Sequence, residues 1–413
     1  MRRGVAQGVS LPVFALSSPP MTPSRPPLSP YYTEDHEAFR AQVRRFVEKE
    51  CAPNIEAWEK AETLPRELHK KAAEAGIMGV GYPEDCGGLG IDDPFYAIVM
   101  TEELARAGSG GLIASLLSHG IATPPIAKAG TKEQKQKFAM PVLAGDKIAA
   151  LAITEPSGGS DVAAIKTTAV REPGSGSGPG SACYVVNGSK TFITSGMRAD
   201  YITTAVRTGE AGMGGISVLV IEGGTPGLSR TPLQKMGWWC SDTATLYFDN
   251  CRVPVANRIG PENAGFMAIM LNFNNERIML AAQALAFAQV CYDEALAYAR
   301  ERQTFGKPLI KNQAIKHKLA DMKMRIDAPR AQLDLLAWRV WKGATPVAEL
   351  SLLKNLATEA FEHAAAEAMQ VLGGAGYLRG AKVERLYRET KVLTIGGGSR
   401  EIMYDLAARQ MGY

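Results

Sequence analysis

The chain has 413 residues, 46% of them hydrophobic and 21% charged, with a net charge of +4. That length exceeds one hydrophobic core and the composition excludes a disordered protein. The small net charge, without any block of like charges, excludes nucleic acid or an anionic membrane surface as the main partner, and no apolar run reaches the length of a membrane span.

Residues 1–30 are rich in Pro and Ser, carry Arg2, Arg3 and Arg25, and contain no acid before Glu34. The stretch 1–32 reads as a disordered or mis-started tail, with Met21 as an internal start; a weak organelle-targeting peptide is the alternative. Six dispersed cysteines without a C-x-x-C pair read as reduced thiols of the cytoplasm, or alternatively of a mitochondrial matrix. Five scattered histidines give no metal-ligand spacing, so no metal is expected.

From 33 to 147 apolar residues recur three and four apart, which predicts an N-terminal all-α domain. The glycine-rich punctuation from Tyr82 to Gly90 lacks a preceding strand and reads as a loop between helices. From 148 to 262 the period falls to two. The β-branched runs Tyr184–Val186, Tyr201–Val206, Ile216–Ile221 and Thr245–Phe248 predict an antiparallel β-domain, with Gly174–Gly180 as a hairpin tip. From 263 to 413 the helical period returns and predicts an α-helical bundle. Phe266 to Phe305 contains neither Gly nor Pro and reads as one long helix or two in tandem. Pro329 should kink its helix, and Thr345-Pro346 should open another that stops at Gly373-Gly374. The fold class is therefore α+β, in the order α, β, α.

Five segments stand out chemically. Leu151-Ala152-Ile153-Thr154-Glu155-Pro156-Ser157-Gly158-Gly159-Ser160-Asp161 is followed by Asn187-Gly188-Ser189-Lys190-Thr191-Phe192-Ile193-Thr194-Ser195-Gly196. Further on lie Glu301-Arg302-Gln303-Thr304-Phe305-Gly306-Lys307-Pro308-Leu309 with Gln313, and then Gln370-Val371-Leu372-Gly373-Gly374. Last comes Ile395-Gly396-Gly397-Gly398-Ser399-Arg400-Glu401, where Ser399 suits an N-cap and the glycine turn presents N–H groups to an oxygen.

In order and spacing these segments resemble the acyl-CoA dehydrogenase family, over nearly the whole chain from residue 33. The resemblance implies the acyl-CoA dehydrogenase-like fold, FAD as cofactor, and oxidation of an acyl-CoA to its trans-2-enoyl-CoA. It places Leu151, Ile153, Thr154, Gly159 and Ser160 on the flavin's polar edge, with Phe192, Ile193 and Thr194 against the ring. Phe192 stands where the family usually has Trp. The resemblance gives Arg302, Thr304, Phe305, Gln313, Gln370, Gly373 and Gly374 to the dinucleotide end, with Arg302 reaching the flavin of a neighbouring subunit, so a homotetramer built as a dimer of dimers is expected. Ser399 and Glu401 complete the cofactor set. Ser160, Arg277, Gly397 and Gly398 are expected at the substrate, whose thioester carbonyl would accept bonds from the flavin ribityl hydroxyl and the Gly398 N–H. Electron-transfer flavoprotein is the implied electron acceptor.

Most family members carry the catalytic Glu where this chain has Gly397. The isovaleryl and long-chain members supply it instead from a helix, and Leu271-Asn272-Phe273-Asn274-Asn275-Glu276-Arg277-Ile278 resembles that segment, with Glu276 as the base. Moving the base should leave volume at Gly397, lined by Met267, Met270 and Leu271, that admits a 3-methyl branch or a longer chain. An acyl-CoA oxidase and a non-catalytic flavoprotein that binds a thioester are the competing readings. A nitroalkane-oxidase-like activity is disfavoured, because Gly397 offers no carboxylate where those relatives keep Asp.

Overall fold

In the computed structural model residues 29–173, 182–270 and 273–413 are described, with the backbone alone at 273 and 274. The expectations for the tail at 1–28, the hairpin tip at 174–181, and Leu271 and Asn272 lie outside the described residues.

The first helix, α1 (Glu34–Phe46), begins at Thr33, whose side chain and backbone form a capping box with His36. Two later helices matter for the site: α2 (Pro94–Ala105), capped by Asp93, and α3 (Gly110–Leu116), capped by Ser109. The Tyr82–Gly90 segment is a loop with one short 3-10 turn. The long helix α5 (Phe273–Glu301) follows a short one, α4 (Gly265–Met270). Then come α6 (Gln313–Trp341), α7 (Val347–Leu372), α8 (Lys382–Ile395) and α9 (Arg400–Gln410).

Pro329 sits inside α6, which runs through it from Gln313 to Trp341. One local expectation needs correction. At α7 the cap position is Pro346, with no side-chain bond, and Thr345 lies one residue outside. The far end agrees: the last helical residue is Leu372, and Gly373 takes φ +59°.

The strands are β1 (Ala149–Ala152), β2 (Thr168–Glu172), β3 (Cys183–Thr194), β4 (Tyr201–Arg207), β5 (Ile216–Glu222), β6 (Leu228–Pro232), β7 (Thr243–Pro254) and β8 (Arg258–Ile259). They form one sheet in the order β6-β7-β3-β2-β4-β5-β8, with β1 added beside β4. Pairings are antiparallel except β1 with β4 and β2 with β4, which are parallel.

Helices from both ends of the sequence share one apolar core. Val43, Phe46, Ile98 and Leu104 pack with Leu285, Phe287, Leu353 and Phe361, whereas the sheet keeps its own clusters around Tyr184, Ile202 and Leu246. The sheet thus stands as an insertion between two halves of a helical body. Glu389 of α8 helps bind it there: its carboxylate accepts N–H bonds from Gly110 of α3 at 2.8 Å and from Trp238 of the β6–β7 loop at 3.1 Å. Burial, reinforced by nearby Glu59, pushes this carboxyl up to about 8.

Candidate active site

Helices α5 to α8 run alternately up and down, so the starts of α5 and α7 share one end of the bundle with the C-terminus of α8. At that end Glu276, one turn into α5, meets the turn between α8 and α9. A β-carbon built on Gly397 would lie 3.6 Å from Glu276 Oε1. The carboxylate therefore arrives from the helix at the place where a side chain of residue 397 would begin. Glu276 is half-buried, and the loss of water around its carboxyl raises it to about 7 despite the opposing pull of Arg277 and Lys354. Arg277 is buried beside it.

The glycine turn is held from α7. Lys354 Nζ donates to Gly398 O at 2.8 Å, and Asn355 Nδ2 donates to Arg400 O at 2.9 Å. Between these grips Ser399 caps α9, its hydroxyl accepting from Ile402 N at 3.4 Å. Gly397 and Gly398 take φ of +67° and +102°, a region L side chains rarely enter. Glu401 is exposed on the first turn of α9.

The two middle-domain motifs are brought side by side. Thr191 N donates to Thr154 O at 2.9 Å, and Lys190 Nζ donates to Ile153 O and to Glu155 Oε1, both at 2.9 Å. Glu155 also accepts the N–H groups of Lys166 and Thr167. Burial opposes charge on both partners. Lys190 falls to about 8, while Lys190 and the neighbouring donors hold Glu155 below the ordinary carboxylate range. The Gly159 β-carbon position lies 3.1 Å from Thr154 Cγ2, so the loop folds back over the threonine, with Gly159 and Ser160 exposed. Leu151 is half-buried on β1 and Ile153 is buried after it.

A register shift between Lys190 and Ile193, where β3 pairs β7, puts Phe192 at φ +60° and leaves it 70% exposed. Ile193 turns inward and Thr194 lies half-buried at the strand end. The buried Ser195 hydroxyl beside it has no partner among the described residues. A bare aromatic face, a hydroxyl and main-chain groups on a rigid strand suit a ring with one polar edge, so the residues present fit FAD.

The remaining residues do not join this cluster within one chain. Arg302 follows the C-terminus of α5, and with about 1.5 Å of rise per residue it stands roughly 38 Å from Glu276. Around it β9 (Gln303–Thr304) and β10 (Lys307–Pro308) form a two-residue hairpin whose tip, Phe305-Gly306, has φ +50° and +76°. Phe305 is 99% exposed. At the same end lie Gln313, Gln370, Gly373 and Gly374, the last two facing open space where a β-carbon would be.

The family models match in three successive blocks. The N-terminal domain of acyl-CoA dehydrogenase covers residues 33–146, the middle domain 150–251 and the C-terminal domain 263–412. The chain belongs to the acyl-CoA dehydrogenase family. It is 39% identical to an acyl-CoA dehydrogenase of Bacillus subtilis, over 90% of this chain and 96% of the relative. It is 37% identical to the mitochondrial long-chain specific acyl-CoA dehydrogenase of Rattus norvegicus, over 92% and 87% of the two chains. The structure of an acyl-CoA dehydrogenase from Geobacillus kaustophilus superposes with a TM-score of 0.88 at 38% identity, covering 94% of this chain and 100% of that one. The enzyme is thus an FAD-dependent oxidoreductase of acyl-CoA thioesters.

Some features of this acyl-CoA dehydrogenase escape a sequence reading. Lys190 and Glu155 lie inside the quoted motifs, and the lysine's place in an alternating strand was the available signal. Lys354 falls on the buried face of α7 between Leu350 and Ala357, where an isolated lysine is the anomaly. Leu280, one turn beyond Glu276, carries no sequence signal. Its Cδ1 stands where a β-carbon on residue 397 would go. The volume expected at Gly397 is therefore filled by Leu280. Of the expected lining, Met267 is 61% exposed and Met270 packs against the sheet's core.

Proposed function

We propose that Glu276 is the base that removes the α-proton of the acyl-CoA. The observation that carries this reading is the meeting of Glu276 Oε1 with the β-carbon position of Gly397, since it brings a carboxylate from a different backbone to the point where a side chain at 397 would start. A carboxyl titrating near 7 is matched to proton abstraction at neutral pH. The thioester carbonyl accepts a bond from the Gly398 N–H, in a turn that Lys354 and Asn355 hold, and the charge developing on that oxygen is stabilised. The Thr154 loop and the Phe192–Thr194 strand end would hold FAD, which when bound would supply the acceptor for the hydride that leaves Cβ.

Arg302, Thr304, Phe305, Gln313, Gln370, Gly373 and Gly374 serve the cofactor of a second copy of the chain. Their distance from Glu276 supports this, and it makes the enzyme a homo-oligomer, built as a dimer of dimers. Electron-transfer flavoprotein takes the electrons, and the cytoplasm is the site of action.

The test is anaerobic mixing of the flavin-loaded enzyme with straight and 3-methyl-branched acyl-CoAs while flavin absorbance is followed. Wild-type flavin should bleach, and Glu276→Gln should keep its flavin but lose turnover by several orders of magnitude. Near-normal bleaching by Glu276→Gln would overturn the assignment.

A further inference from the structure

Lys354 is fully buried, and its ammonium is bonded to a main-chain carbonyl rather than to a carboxylate. Enclosing an ammonium this way is costly, and a leucine or methionine would fill the same position in α7 without that cost. Packing alone does not account for it. What the lysine touches is the turn that faces the base. Its neighbour Asn355 holds Arg400 O, so two successive residues of α7 clamp both ends of the Gly398–Arg400 segment. That turn needs a clamp, because two consecutive glycines at positive φ leave its backbone little intrinsic preference.

The charges around the pair are few. Glu276 has Arg277 from its own helix and Lys354 from α7; Lys354 has Glu276 and Arg277 from α5, and Arg400 and Glu401 from α9. We propose that Lys354 is a positioning residue for the proton transfer: it holds the Gly398 carbonyl so that the glycine turn stays against Glu276, and its positive charge favours the carboxylate form of that base. Burial, with Arg400 and Arg277, brings the ammonium down to about 8, so it is still mainly charged at neutral pH. The inference rests on Glu276 being the base. If that assignment were wrong, Glu276→Gln would keep its turnover; if only the role of Lys354 were wrong, Glu276→Gln would be inactive and the lysine variants normal.

Three variants divide the two roles. They are assayed as flavin-loaded enzyme with the thioester that bleaches wild-type flavin fastest, among butyryl- to palmitoyl-CoA and isovaleryl-CoA. Lys354→Gln keeps a donor and loses the charge, so the acid limb of kcat/KM should move up by roughly one pH unit, with a smaller loss of plateau kcat than in the arginine variant. Lys354→Arg keeps the charge and misplaces the donor, so the limb should stay while kcat falls about ten- to a hundredfold, with little change in KM. Lys354→Met should show both effects. A merely structural lysine would lower the melting temperature without moving the limb. Wild-type pH profiles and kcat in folded, flavin-loaded Gln and Arg variants would overturn the proposal. So would the failure of all three variants to give a native melting transition, since that would make the lysine a packing residue.

Discussion

Leu280 occupies the space that a side chain at Gly397 would need. The helix that brings the carboxylate also brings, one turn on, the leucine that closes the place the carboxylate has left. The position of the Glu276 carboxylate and the packing beside Gly397 are thus coupled through one helix face.

The coupling makes the relocated base hard to move back. In a Glu276→Gln background, Gly397→Glu should restore almost nothing, because Leu280 blocks its β-carbon and φ is +67°. Adding Leu280→Ala should bring partial recovery, to about 1% of wild-type turnover or more. Recovery without the leucine change would show that the wall yields easily. Leu280→Ala alone should cost about 2–4 kcal/mol of stability if the space stays empty. It should also raise the relative kcat/KM for 3-methyl-branched over straight acyl-CoAs, which a panel of thioesters reads directly.

The carboxyl of Glu276 sets a pH dependence of both rate and stability. Its folded value, about 7, lies above its ordinary value of 4.5. Turnover should therefore fall on the acid side, about fivefold between pH 7 and pH 6 and about tenfold per unit below that, where the limb is fully developed. The raised value means that the folded state binds the proton more tightly. The group's unfavourable contribution is absent below pH 4.5, grows as pH rises through 7, and is constant above it. Glu276→Gln should accordingly melt higher than wild type at pH 8, by on the order of 1–3 kcal/mol, and equally at pH 4. An identical difference at both pH values would show that the carboxyl is not perturbed.

The buried Lys190–Glu155 pair fastens the two middle-domain motifs together. Lys190→Met should leave Glu155 charged in a dry site and cost about 3–5 kcal/mol, seen in denaturant unfolding, together with loss of flavin on dialysis. The double change Lys190→Met, Glu155→Gln should be milder than the sum of the two single changes. Strict additivity would mean that the pair carries no coupling.

Arg302 lies too far along α5 to serve the Glu276 of its own chain. Arg302→Ala should fold normally, because the residue is exposed, but hold FAD more weakly and dissociate more readily in sedimentation. Neither Arg302→Ala nor Glu276→Gln should turn over well alone. Co-refolded mixtures of the two should regain activity, since one pairing then joins an intact base to an intact arginine. No regain from the mixture would place the arginine's role within its own chain.

The order α, β, α was legible in the sequence because period and β-branching are local properties, and the capping residue Ser399 could be read the same way. The motifs carrying Thr154, Phe192 and Glu276 were legible as well, through their spacing and their resemblance to a family. Tertiary structure decided what fills the space beside Gly397, because Leu280 meets that turn only when α5 packs against the α8–α9 connection. It also decided that Lys354 and Lys190 are enclosed, since nothing local distinguishes a buried lysine from a surface one until the neighbouring helix or strand covers it. The separation of Arg302 from Glu276 follows from simple helical rise, but it acquires meaning only once the bundle puts the glycine turn at one end and the Phe305 hairpin at the other.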